Sequence, residues 1–284
     1  MSDNISVRKF SLEWMKWGSA IVVLGKRESG KTFFMRELIV YFQADWNIIF
    51  AGSDGSYDAF AEVASPLFIF DAFTDISIVE EKLVWFMELM KNPKVPRPKK
   101  ILIVIDDLGM EDAVMKMQTV LDLFSKGRHF NKIDGVKVGV TVVIAIQYAK
   151  MIGPKIRSNF DYLFCFQLSS YECAQAVQKG YTMIKPKAFN AIMESLHEAQ
   201  EFASLVVNKK ANAKKLKRDL AWHKAAAVEV SEFVGSESVN DLTDRLYDKQ
   251  RYSDPPPRPV LEKKTRSTKK TQAAAPVVMF ENDS

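Results

Sequence analysis

The run Gly25-Lys26-Arg27-Glu28-Ser29-Gly30-Lys31-Thr32 follows directly on Ala20-Ile21-Val22-Val23-Leu24 and leads into Phe33-Phe34-Met35-Arg36-Glu37-Leu38. An apolar strand entering, a turn bounded by glycines and a helix leaving are the context that a phosphate-binding loop requires. The two glycines let the backbone wrap so that several N–H groups converge on an anion at a helix N-terminus. In such a loop Lys31 reaches the β- and γ-phosphates and the Thr32 hydroxyl ligates Mg²⁺. All eight residues, Gly25, Lys26, Arg27, Glu28, Ser29, Gly30, Lys31 and Thr32, are therefore expected to line a nucleoside triphosphate site, with ATP and Mg²⁺ as its ligands.

The rest of the composition narrows the setting. With 284 residues, 47% of them hydrophobic and 26% charged, the chain is long enough to bury a full core and has the balance of a water-soluble globular protein. Its 40 Lys and Arg against 35 Asp and Glu give a formal charge of +5, which permits a polyanionic partner without demanding one. Cys165 and Cys173 lie in or beside an apolar stretch and read as buried thiols in a reducing compartment, not as a disulfide framework. His129, His197 and His223 are too scattered for a zinc site. Met1 to Phe10 has no apolar core flanked as in a signal peptide, and no apolar run reaches the ~18 residues of a membrane span.

Beyond the loop, a helix is expected to about Gln43, then a buried strand at Trp46–Ala51 and a short edge strand at Leu67–Phe70. Apolar residues at helical spacing from Ile76 to Met90 predict an amphipathic helix, closed by the prolines between Asn92 and Pro98. Ile101–Ile105 is the next strand, Ala113–Ser125 a helix, Val136–Ile146 one long β-branched strand and Tyr162–Phe166 another. Helices around Tyr171–Gly180 and Pro186–Ala199 precede a hairpin of Ser204–Asn208 and Leu220–Lys224. Strands alternating with helices imply an α/β fold with a mostly parallel sheet covered on both faces. The pattern fades past Ser236, so residues 1–235 are expected to form the ATPase domain. Residues 236–284, with Pro255-Pro256-Pro257 and a lysine-rich run, are expected to form a disordered basic tail.

Asp106 ends the apolar run Ile101–Ile105, where a carboxylate can hold Mg²⁺ through water opposite Thr32. Asp107 beside it is placed either to accept a proton from an attacking water or to cap a helix starting near Leu108. Gln147, at the end of the following long strand, is either a sensor of the γ-phosphate or a solvated strand end. Arg128 and Arg157 are candidates for a finger reaching a neighbour's γ-phosphate, with surface ion pairing as the plainer alternative. Lys150, Lys155 and the lysines of the tail could meet a phosphate backbone, and nothing reads base edges.

Taken together, these segments resemble the genome-packaging ATPases of large eukaryotic DNA viruses, the poxvirus-type branch of the FtsK–HerA superfamily. The resemblance is carried by Gly25–Thr32, Ile101–Asp107, Leu123–His129 with its Gly127-Arg128-His129, and Ile146-Gln147 followed by Pro154-Lys155-Ile156-Arg157-Ser158-Asn159-Phe160-Asp161-Tyr162. It spans about Ile21 to Lys224. It implies a RecA-like core with an extra strand between the loop strand and the Asp106 strand, and a pentameric or hexameric ring. It further implies double-stranded DNA as a sequence-independent partner, a capsid or inner-membrane protein at a vertex as a docking partner, and a place in the virion or the cytoplasmic virus factory. By matching position Lys31 and Thr32 would hold nucleotide and metal, Asp106 would partner Mg²⁺, Asp107 would be the catalytic acid, Gln147 the sensor, and Arg128 or Arg157 the finger. Glu28 departs from the pattern, since relatives often carry a small residue there. A mobile-element translocase, a small-molecule kinase and a nucleotide-gated adaptor are the competing readings.

Overall fold

A computed structural model describes residues 7–91, 98–106, 108, 112–129, 132–133, 136–137, 139–182, 184–210 and 220–247. Along the chain, β1 (Arg8–Lys9) precedes the loop strand β2 (Ala20–Leu24), which feeds α1 (Lys31–Phe42). Next come β3 (Trp46–Ala51), α2 (Asp54–Ala61), β4 (Ile69–Asp71), α3 (Ser77–Lys91) and β5 (Ile101–Ile105). Helices α4 (Asp112–Lys116) and α5 (Gln118–Lys126) lead to a small hairpin of β6 (Lys132–Ile133) and β7 (Val136–Lys137), then β8 (Thr141–Ile146). The chain continues through α6 (Pro154–Asn159), β9 (Tyr162–Cys165), α7 (Tyr171–Tyr181), α8 (Pro186–Ala199), β10 (Ala203–Asn208), β11 (Leu220–Lys224) and α9 (Glu237–Leu246).

Nine of these strands form one sheet in the order β1-β11-β10-β9-β2-β8-β5-β3-β4. From β4 to β9 every pairing is parallel, while β10 runs antiparallel to both β9 and β11. Strand β8 lies between β2 and β5, the inserted strand that the resemblance implied. Burial on both faces explains why β2, β5 and β8 are apolar throughout: the strand period of two sends Val22, Leu24, Ile103 and Ile105 to one face and Ile21, Val23, Leu102 and Val104 to the other. One face packs under α3, α5, α7 and α8, the other under α1 and α2.

Four expectations need correction. The long strand predicted from Val136 breaks, because Gly139 takes a left-handed backbone (φ 79°) that sets β7 apart in its own hairpin and lets β8 begin at Thr141. The single helix predicted over Ala113–Ser125 divides at Met117, whose ψ of 129° is extended. The front of the predicted edge strand at Leu67 is a 3₁₀ turn, started by Pro66 and capped by the Ser65 hydroxyl, which accepts from the Leu67 amide. Finally, the folded body reaches Tyr247, not 235. Helix α9 buries Val239 and Thr243, one turn apart, and the hydroxyls of Thr243 and Ser65 share a hydrogen bond at 2.6 Å. The segment before it is tied down as well: the Asn47 side chain donates to the Val234 carbonyl at 2.7 Å, and the Ser236 amide to that of Asp45 at 2.9 Å. So few apolar residues carry α9 that its pattern does not rise above the tail's. Residues 248–284, expected as a disordered tail, lie outside the described residues, as does the basic connection 211–219 between β10 and β11.

Candidate nucleotide site

The loop hangs from the ends of β2 and is fixed on both flanks. The Gly25 amide donates to the Ile146 carbonyl at the end of β8 (3.1 Å), and the Lys26 amide to the Gln167 carbonyl just past β9 (2.7 Å). Gly25 has no room for a side chain: a Cβ there would sit 2.6 Å from Ser29 Oγ and 2.7 Å from Phe166 Cβ. Gly30, at φ 97°, turns the chain into α1. No side chain caps that helix and no acidic residue of its own stands in its first turn, so its N-terminal amides and dipole are placed to receive an anion.

Inside the loop, Lys31 is buried and its Nζ donates to the carbonyls of Gly25 and Lys26, each at 2.8 Å. Ser29 Oγ donates to the Lys26 carbonyl at 2.8 Å. An ammonium folded into its own loop can exchange those carbonyls for phosphate oxygens with little movement. Across the sheet, Asp106 is 1% exposed at the tip of β5, and its Oδ2 accepts from Thr32 Oγ1 at 3.2 Å. The loop and the acidic strand therefore meet, as their sequence motifs required. Two oxygen donors of this kind suit Mg²⁺, which keeps water and phosphate oxygens for the rest of its octahedron. Among the described residues no cluster of three or more His, Cys, Asp or Glu could hold a metal ion.

Gln147 directly follows Ile146, the residue that anchors the loop, and so stands at the loop's flank. Asp107 lies outside the described residues. The arginines are elsewhere. The backbone of Arg128 belongs to the turn Gly127–His129, whose Gly127 carbonyl accepts from Val140 at the start of β8, the end remote from the loop. Arg157 also lies toward that end, close before Asp161, whose amide donates to Ala20 at the start of β2. Its Nη2 donates to the Ile152 carbonyl at 3.2 Å, and its guanidinium stands 5.9 Å from the Tyr181 ring. Cys165 and Cys173 are both buried, and burial pushes the Cys165 thiol far above its ordinary range.

Two residues near the loop escaped the sequence reading. His197 on α8 has its pKa lowered, by burial first and then by the charge of Lys26. Phe202, between α8 and β10, packs on Gly30, and its ring lies 5.7 Å from that of Phe33. No local pattern marks either of them, because each reaches the loop only through the fold. Glu28, the departure noted above, adopts φ 59°, the left-handed region that glycine enters at least cost. Glu28 therefore occupies its position with some strain.

Comparison with known proteins agrees with this arrangement. The profile of the Poxvirus A32 protein family matches residues 9–215. The "Uncharacterized protein L437" of Acanthamoeba polyphaga mimivirus is 22% identical over 254 residues, covering 86% of this chain and 85% of the relative. The genome packaging NTPase B204 of Sulfolobus turreted icosahedral virus 2, solved with sulfate, shares the fold at a TM-score of 0.51 and 14% identity. That match covers 76% of this chain and all of B204. The same NTPase solved with ATP-gammaS superposes at 0.50 with 13% identity, covering 74% and 98% of the two chains. With the loop, the buried acid and the inserted strand together, the chain belongs to the poxvirus A32 protein family and is a P-loop ATPase.

Proposed function

We propose that this protein hydrolyses ATP to drive double-stranded DNA, without regard to base sequence, into a preformed viral capsid, acting as a ring of five or six copies. The observation that carries the reading is the 3.2 Å approach of Thr32 to Asp106 beneath a loop built for phosphate, in a chain of this family. The packaging role printed for B204, which shares the fold, supports it. Lys31 would hold the β- and γ-phosphates, and Thr32 and Asp106 would hold Mg²⁺, which when bound neutralises phosphate charge. Asp107 would take the proton of the attacking water, and Gln147, beside the loop anchor, would sense the γ-phosphate. Arg128 and Arg157 sit toward the far end of their own sheet, so either can serve as a finger only across a subunit boundary. That requirement ties hydrolysis to assembly.

The test is phosphate release with and without duplex DNA. Stimulation by duplexes of any sequence, falling steeply with salt as backbone contacts do, is the expected result. Release that needs a small acceptor and ignores DNA would instead mark a kinase.

A further inference from the structure

The strand order fixes which way a bound nucleotide must lie. Asp106 on β5 and Gln147 at the end of β8 stand on one side of β2. The γ-phosphate end belongs there, so the sugar and base leave the loop on the opposite side, over β9 and β10. Strand β10 runs antiparallel to β9, with Leu205 opposite Cys165, so its first residues rise at the loop's level. On that side, immediately before β10, stands Phe202.

Three observations single Phe202 out. Its backbone is left-handed at φ 56°, a conformation that a bulky residue adopts at a cost and that recurs where surroundings enforce a function. It is held there by the hairpin, since the Ala225 amide donates to its carbonyl at 3.1 Å. Its ring lies on Gly30, so closely that a Cβ on Gly30 would meet Phe202 Cδ1 at 2.9 Å. The neighbouring ring of Phe33, the residue that follows Thr32, is tilted by 40° at 5.7 Å. Phe202 nevertheless remains 37% exposed, an aromatic surface kept open at the rim of a phosphate site.

We propose that Phe202, supported by Phe33, is the platform on which the nucleotide base stacks. The assignment rests on the triphosphate reading of the loop and adds to it the residue that recognises the base. Stacking on an aromatic ring is worth enough to change affinity by roughly tenfold or more, and it tolerates any base because each has a π face. Phe202 would thus set the KM for ATP and leave the chemistry to the loop.

The experiment is calorimetric titration of wild type, Phe202→Ala, Phe202→Leu and Phe202→Tyr with ATP-gammaS and, separately, with inorganic tripolyphosphate, both with Mg²⁺. Tripolyphosphate carries the phosphates without a base. Phe202→Ala and Phe202→Leu should weaken ATP-gammaS about tenfold or more and leave tripolyphosphate within about twofold, while Phe202→Tyr stays near wild type for both. Equal weakening of the two ligands would overturn the proposal, since Phe202 would then merely shape Gly30 and the loop. Unchanged ATP-gammaS affinity in Phe202→Ala would overturn it as well. A wild-type protein that bound neither ligand would overturn the nucleotide reading itself, a result distinct from both.

Discussion

At the upper ends of β2, β8 and β5 the polar contacts centre on the loop, with Lys31 Nζ resting on two carbonyls of its own turn and Thr32 on Asp106 at the tip of β5. At the lower ends of the same strands, long-range side chains do the holding. Asp161 Oδ2 accepts from the Ala20 amide at 2.9 Å and pairs with Lys210 at 3.4 Å, and its carbonyl accepts from the Lys209 amide at 2.9 Å. The Thr141 hydroxyl accepts from the Gly18 amide at 2.9 Å. Buried polar groups stabilise a fold when their partners are fixed, and they serve a ligand when those partners can be exchanged. The lower end is built for permanence and the upper end for exchange.

The sharpest way to break this contrast is to substitute Lys31→Ala. Turnover should fall by roughly a hundredfold or more, the scale of removing one donor from developing negative charge. The urea midpoint should barely move, because the bonds from Lys31 Nζ to the Gly25 and Lys26 carbonyls tie the loop to itself, not to the sheet. A large drop in midpoint would mean that the loop lysine is part of the framework after all. Asp161→Ala should do the reverse. It strands the buried Ala20 amide and should cost about 2 kcal/mol of stability, while turnover per folded molecule stays near wild type. An unaltered midpoint in that variant would remove the lower end's claim to be structural.

A smaller effect concerns strain. Glu28 sits at φ 59°, where glycine rests at less cost, so Glu28→Gly should raise stability by about 1 kcal/mol, offset in part by the greater freedom of glycine in the unfolded chain. If thermal melting is lower in Glu28→Gly, an unseen role of the carboxylate outweighs the backbone term.

How much of this was legible beforehand follows from the range of each interaction. Strands β2, β3 and β5 and the loop are local patterns in contiguous residues, and their positions read directly from sequence. The division of the Val136–Ile146 segment turned on one glycine, Gly139, whose left-handed φ no periodicity displays. Helix α9 was missed because only Val239 and Thr243 face inward. At the site, Thr32 and Asp106 were placed together from their motifs, whereas Phe202 and His197 come to the loop only because the fold brings the end of α8 and the turn into β10 beside it. Strand order decides such meetings, and strand order is not written in any window of the chain.

The smallest test concerns that same approach of α8. Burial, and then the positive charge of Lys26, lower the pKa of His197 below its ordinary 6.5, so the folded protein resists a proton that the unfolded chain accepts. The sign follows: stability contributed by neutral His197 is present above pH 6.5 and is lost as pH falls through that value, flattening once the folded group also titrates. His197→Gln should remove this part of the acid sensitivity, seen as a shallower fall of the urea midpoint between about pH 7 and 5.5. It should leave the midpoint at about pH 8 nearly unchanged. Bound nucleotide brings negative charge close to Lys26 and should raise the His197 pKa toward its ordinary value, so the acid sensitivity of wild type should diminish when ATP-gammaS is present. An identical pH profile with and without nucleotide would place His197 beyond the reach of the exchangeable end and assign it to the permanent one.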